Sequence, residues 1–94
     1  MQLEFLISFG IKSSFGRTPL HDATERGNIE SVRFLVSKGA DVNAKAPNGD
    51  TPLHRAAYEN ENIEVVIFLV TQGADVHAKN DNGKTPFGIA KKRR

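Results

Sequence analysis

The chain has no cysteine and no tryptophan, and one tyrosine among its 94 residues. Without cysteine there is no disulfide framework and no thiolate metal site, so the fold needs no oxidising compartment. No apolar run approaches the 18 residues that a membrane-spanning helix requires. The opening residues, Met1 to Gly10, resemble a secretory leader faintly. However, Glu4 stands where a basic region belongs and the apolar run is short and interrupted, so the segment reads as folded structure. The expected setting is intracellular and cytoplasmic. There is no glycine-rich phosphate loop and no nucleophile with a nearby base, and a deep pocket is not expected. The sequence therefore predicts no catalytic residue, no metal site and no cofactor.

Positive charge is also scarce where it would matter. The formal net charge is +2, but Lys91, Lys92, Arg93 and Arg94 contribute four of the 13 basic residues. Residues 1–90 then hold 9 basic and 11 acidic side chains, a net of −2. The high pI belongs to the tail and does not argue for a basic nucleic-acid-binding face on the body. The tail has three readings: a solvated cap, a nuclear-import or acidic-partner patch, or a weak, salt-sensitive nucleic-acid contact.

What the chain does have is repetition. Thr18-Pro19-Leu20-His21 returns as Thr51-Pro52-Leu53-His54 and again as Thr85-Pro86-Phe87-Gly88, with starts 33 and 34 residues apart. A fixed period of this length specifies stacked supersecondary units, none of which buries its apolar face alone. Each unit reads the same way. Thr18 or Thr51 caps a short helix with proline at its first position. Leu20, Ala23 and Thr24, or Leu53, Ala56 and Ala57, form its apolar stripe. Gly27-Asn28 turns the chain into a second helix, whose stripe is Ile29, Val32, Leu35 and Val36, repeated as Ile63, Val66, Leu69 and Val70. Gly39 and Gly73 stop these helices, and Asn48-Gly49 and Asn82-Gly83 signal tight hairpin turns. The one-residue difference in period falls at Asn60-Glu61-Asn62, in the turn between the helices, where an insertion is tolerated.

The two ends are partial units. Phe5-Leu6-Ile7-Ser8-Phe9-Gly10 matches Phe34 to Gly39 and Phe68 to Gly73, so residues 1–17 read as a degenerate repeat with a second helix, no first helix and a stunted hairpin. This segment is either a terminal cap or an apolar face that meets another chain. Residues 85–94 start a further unit and turn polar, as a closing cap would.

Thr-Pro-Leu-His with Ala23 and Ala56, then Gly-Ala-Asp-Val-Asn at 39–43 and Gly-Ala-Asp-Val-His at 73–77, resembles the ankyrin repeat. The resemblance implies an all-α repeat fold: a solenoid of stacked antiparallel helix pairs with short β-hairpin loops, forming a single domain over residues 1–94. Within it, 18–50 and 51–84 are the full repeats, between partial ones at 1–17 and 85–94. It also implies structural roles for His21 and His54, which bond backbone and the motif threonine, and a concave binding surface made by hairpin tips and first helices. Asp41 and Asp75 read as loop-shaping residues, and His77 as polar filler. Ile67, where the first repeat has Arg33, is an apolar residue expected on the outer helix.

The expected function is that of a non-catalytic protein–protein interaction module. The repeat uses its recurring positions for folding and leaves the others to vary. The candidate contacts on the expected binding face are Pro47, Asn48 and Asp50 in one copy and Asp81, Asn82 and Lys84 in the next, with Phe15 and Arg17 as the stunted counterpart; of these pairs, only Asn48 and Asn82 are the same residue. On the first helices, Asp22 and Glu25 stand against Arg55, Tyr58 and Glu59. Arg55, Tyr58 and Phe15 are the expected hot spots, because aromatic and arginine side chains dominate interface energies. The alternatives are self-association through the apolar residues 1–17, giving a homo-oligomer, and nucleic-acid or acidic-partner binding through the basic tail.

Overall fold

The computed structural model describes residues 16–59 and 63–92. They form five helices: α1 (Pro19–Glu25), α2 (Ile29–Ser37), α3 (Pro52–Glu59), α4 (Ile63–Thr71) and α5 (Pro86–Lys92). The segment read as the degenerate first unit, up to Phe15, lies outside the described residues, as do the insertion at 60–62 and Arg93 and Arg94 of the tail.

Local chemistry sets the boundaries. Thr18 is extended at φ −81° and ψ 163°, and its hydroxyl accepts the His21 backbone N–H, with Pro19 opening α1. Asn28 caps α2 by accepting the Ser31 N–H at 3.2 Å. Past α2 the chain closes in a Schellman pattern: Gly39 N–H reaches the Val36 carbonyl and Ala40 N–H reaches that of Leu35, with Gly39 at φ 97°. Gly73 repeats this on the Val70 and Leu69 carbonyls at φ 100°.

The first helices stack on one another, α1 on α3 and α3 on α5, and each of α1 and α3 also packs on its own second helix. The second helices α2 and α4 meet as well. Leu20, Val32, Leu35, Leu53, Val65 and Leu69 are buried in one continuous core, with Ala23 and Ala56 between the first helices. Burying each of the larger side chains contributes about 1.5–3 kcal/mol, and the small alanines let α1 and α3 approach closely.

The hairpins are turns without strands among the described residues. Ala46 N–H bonds the Asp50 carbonyl at 2.9 Å and Asn80 N–H bonds that of Lys84 at 3.0 Å. Neighbouring hairpins exchange the backbone bond from Asp81 N–H to the Asn48 carbonyl, 2.9 Å, and so short a junction builds no β-ladder. A second tie between repeats comes from Asn43, whose amide donates to the Gly73 carbonyl (3.1 Å) and accepts from Asp75 N–H (2.8 Å).

Candidate protein-binding face

The repeated histidines are framework. The Asp50 carbonyl can only accept, so His21 Nε2, 2.8 Å away, carries the ring proton. Nδ1 is then an acceptor for the Thr18 N–H at 3.2 Å, with the Thr18 hydroxyl 2.9 Å away. His54 copies the arrangement on the Lys84 carbonyl and on Thr51. Each histidine therefore closes its own helix cap and holds the hairpin leading into the next repeat. Burial pushes His21 below the usual histidine pKa. The hydrogen bond to Asp50 opposes that shift, and Arg17 and Arg55 add to it. With both ring nitrogens engaged, neither histidine has a lone pair to give a metal. Among the described residues no three His, Asp or Glu side chains converge on a metal position.

Gly88 replaces the histidine in the last unit, yet its N–H still reaches the Thr85 hydroxyl at 3.1 Å. Asp41 and Asp75 shape their loops, accepting the Asn43 and His77 N–H groups at 2.9 Å. His77 is exposed in the loop, and Ile67 is exposed on α4.

Around this framework an ion network runs along the first helices. Arg17 bonds Glu25 and lies 3.3 Å from Asp22. Arg55 bridges Glu25 (3.3 Å) and Asp50 (3.2 Å), and its guanidinium sits 4.8 Å over the Tyr58 ring. The Arg17 hydrogen bond holds the Glu25 carboxyl below the usual range, with Arg55 contributing. Arg17, Ala46, Pro47, Asn48 and Arg55 line an open cleft of about 200 Å³.

One expected contact is corrected. Asp50 has 0% of its surface exposed, so no partner can touch its carboxylate. It accepts from Asn80 Nδ2 (2.9 Å), Asn48 Nδ2 (3.2 Å) and Arg55 Nη1, which makes it a buried junction between repeats. Asn80, its partner from the next hairpin, drew no notice in the sequence, because the equivalent residue is Ala46 and the difference looks like ordinary surface variation. Pro47, Asn48, Asp81, Asn82 and Lys84 are exposed at the hairpins, while Arg17, Asp22, Glu25, Arg55 and Tyr58 are half-buried on the same face. Glu59 is the last residue of α3, and Phe15 lies outside the described residues.

Stacked helix pairs, joined by hairpins pinned through repeated His–Thr caps, define a helical-repeat solenoid. Residues 20–70, more than half of the chain, match the family model described as ankyrin repeats in many copies. The chain belongs to the ankyrin-repeat family. It is 52% identical over 42 residues to human transient receptor potential cation channel subfamily A member 1, covering 45% of this chain and 4% of that protein. It is 38% identical over 58 residues to human ankyrin repeat domain-containing protein 53 (57% and 11%). With the NF-kappa-B inhibitor cactus of Drosophila melanogaster, identity is 47% over 47 residues (49% and 9%). The chain thus spans a small part of each of these relatives. Ankyrin repeats generally mediate protein–protein interaction as non-catalytic modules. No helix among the described residues is long and apolar enough to cross a membrane.

Proposed function

We propose that this chain binds a partner protein through the face made by its hairpin tips and first helices. The observation that carries the reading is a division of labour within each repeat. Backbone groups of the hairpins are fixed by His21 and His54, while exposed side chains on the same hairpins change between copies around a shared Asn48 or Asn82: Pro47 gives way to Asp81, and Lys84 is exposed where the earlier unit has the buried Asp50. A rigid backbone with variable side chains binds without a large ordering cost. Tyr58, held under the Arg55 guanidinium, supplies a preorganised aromatic anchor, and the half-exposed Asp22 and Glu25 add negative charge beside it. The chemistry is display of complementary groups, with no covalent step.

The test needs variants that leave the Asp50 junction intact, which excludes Arg55→Ala as a probe. Tyr58→Ala combined with Lys84→Glu alters the proposed face, and Gln72→Glu alters an exposed site past the end of α4. Proteins captured from the source cell by the parent chain should be lost with the first variant and kept with the second. Retention by the Tyr58→Ala/Lys84→Glu variant, folded by circular dichroism, would refute the placement.

A further inference from the structure

We propose that Asn82 is a site of spontaneous chemical modification, converting through a succinimide to aspartate and isoaspartate in the folded chain, while the fold protects the matching Asn48. Both asparagines precede a glycine at a hairpin turn. The order matters because the nucleophile is the glycine backbone nitrogen, and no β-carbon crowds its approach. The other asparagines among the described residues, Asn28, Asn43 and Asn80, precede Ile29, Ala44 and Asp81, whose β-carbons obstruct it. In the reaction the Gly83 nitrogen gives up its proton to base and attacks Asn82 Cγ. A C–N bond closes a five-membered ring and the Cγ–Nδ2 bond breaks. Nδ2 regains a proton from solvent and leaves as ammonia. Water then adds at either ring carbonyl and reopens the ring. One opening gives aspartate; the other gives isoaspartate, whose main chain runs through the former side chain. In sum, an amide and water become a carboxylic acid and ammonia, with no change of oxidation state.

The structure separates two sites that residue order makes equal. The nucleophiles are alike: Gly49 N–H donates to the Ala46 carbonyl at 2.8 Å and Gly83 N–H to that of Asn80 at 2.9 Å. The side chains differ. Asn48 is held at both ends of its amide, because Oδ1 accepts the Asp50 N–H at 3.0 Å and Nδ2 donates to the Asp50 carboxylate at 3.2 Å. Position 50 becomes Lys84 in the next repeat, and a lysine side chain offers Nδ2 no acceptor. The Lys84 N–H is taken as well, by Asn80 Oδ1 at 3.0 Å, where the earlier copy has Ala46 with no side-chain oxygen. The exposed Asn82 side-chain amide therefore has no hydrogen-bond partner among the described residues. Its Cγ turns toward the Gly83 nitrogen without first breaking a bond, and Nδ2 is free to leave. Conversion sets a new carboxylate beside the exposed Asp81 on the hairpin face. The inference does not depend on what that face binds.

Ageing the full chain in mildly alkaline buffer, followed by peptide mapping with mass spectrometry, measures both sites, and isoaspartyl peptides separate from aspartyl ones by retention. Asn48 must release two hydrogen bonds, so Asn82 should convert at least about fivefold faster in the folded chain. In guanidinium chloride, where only residue order acts, the two rates should converge. A smaller ratio in the folded chain, or one that persists in denaturant, would overturn the proposal. Lys84→Asp restores the missing acceptor and should slow Asn82 by about two- to tenfold. Lys84→Ala removes the same positive charge without adding an acceptor, and should leave the parent rate. A Lys84→Asp chain, helical by circular dichroism, that converts Asn82 at the parent rate would refute the assignment, as would equal slowing by Lys84→Ala. Should Lys84→Asp lose its helical signal, Lys84→Asn supplies a neutral acceptor under the same criteria.

Discussion

Removing the Arg55 guanidinium should destabilise the chain through Asp50 more than through anything at the surface. Breaking a buried ion pair by deleting one partner costs about 3–5 kcal/mol when both groups are fully buried. Here Arg55 retains 20% of its side-chain exposure, and Asp50 keeps the amide donors of Asn80 and Asn48. The expected loss for Arg55→Ala is therefore about 2–3 kcal/mol. A domain of this length holds only about 5–14 kcal/mol in all, and the loss should lower the melting temperature by roughly 10–20 °C. Asp50→Asn alone should lose about 1–2 kcal/mol, since an amide cannot accept at both oxygen positions as the carboxylate does. With Asn at position 50 no buried charge remains to be orphaned, so Arg55→Ala there should cost about 1–2 kcal/mol less than in the parent. Contributions from the Tyr58 ring and Glu25 cancel in this cycle, because neither involves Asp50 directly. Urea denaturation of the four proteins measures it. If the two single losses add to the double loss within about 0.5 kcal/mol, the Asp50–Arg55 junction is not what Arg55 contributes to the fold.

Two further outcomes follow from the same framework. Gly49 and Gly83 both stand at positive φ, 84° and 75°, where a β-carbon costs about 1–2 kcal/mol. A β-carbon on Gly49 would also lie 2.8 Å from the Asp81 backbone nitrogen, while one on Gly83 meets nothing within 4 Å. Gly49→Ala should thus exceed Gly83→Ala by at least about 1 kcal/mol in urea denaturation, and equal losses would contradict the close approach of the hairpins. For His21 the lowered native pKa means that the unfolded chain takes up a proton first as pH falls. The neutral, buried ring contributes stability that is full above about pH 6.5 and is lost as pH falls toward the native pKa. His21→Gln should flatten the change in urea midpoint between pH 7 and pH 5, and an unchanged slope would refute the assignment.

The sequence by itself determined the repeat, and with it the helix pairs, their caps and the stops at Gly39 and Gly73. These are interactions within a few residues, such as Thr18 with His21 or Gly39 with Val36, so local residue order is enough to specify them. The period also made Leu20 and Leu53 legible as core, while the framework role of the histidines came from the resemblance to the ankyrin repeat. Other features depended on what a neighbouring repeat supplies. Arg17, Asp50 and Lys84 hold the same position before each threonine and look like three variable surface residues. Asp50 is buried only because Asn80, thirty residues on, reaches back to it while Arg55 closes over it. Phe87 reads as a core leucine-type position and is exposed, because its burial requires a second helix that α5 does not have beside it among the described residues. A side chain's burial in a solenoid is decided by the unit stacked on it, and one unit's sequence carries no record of that neighbour.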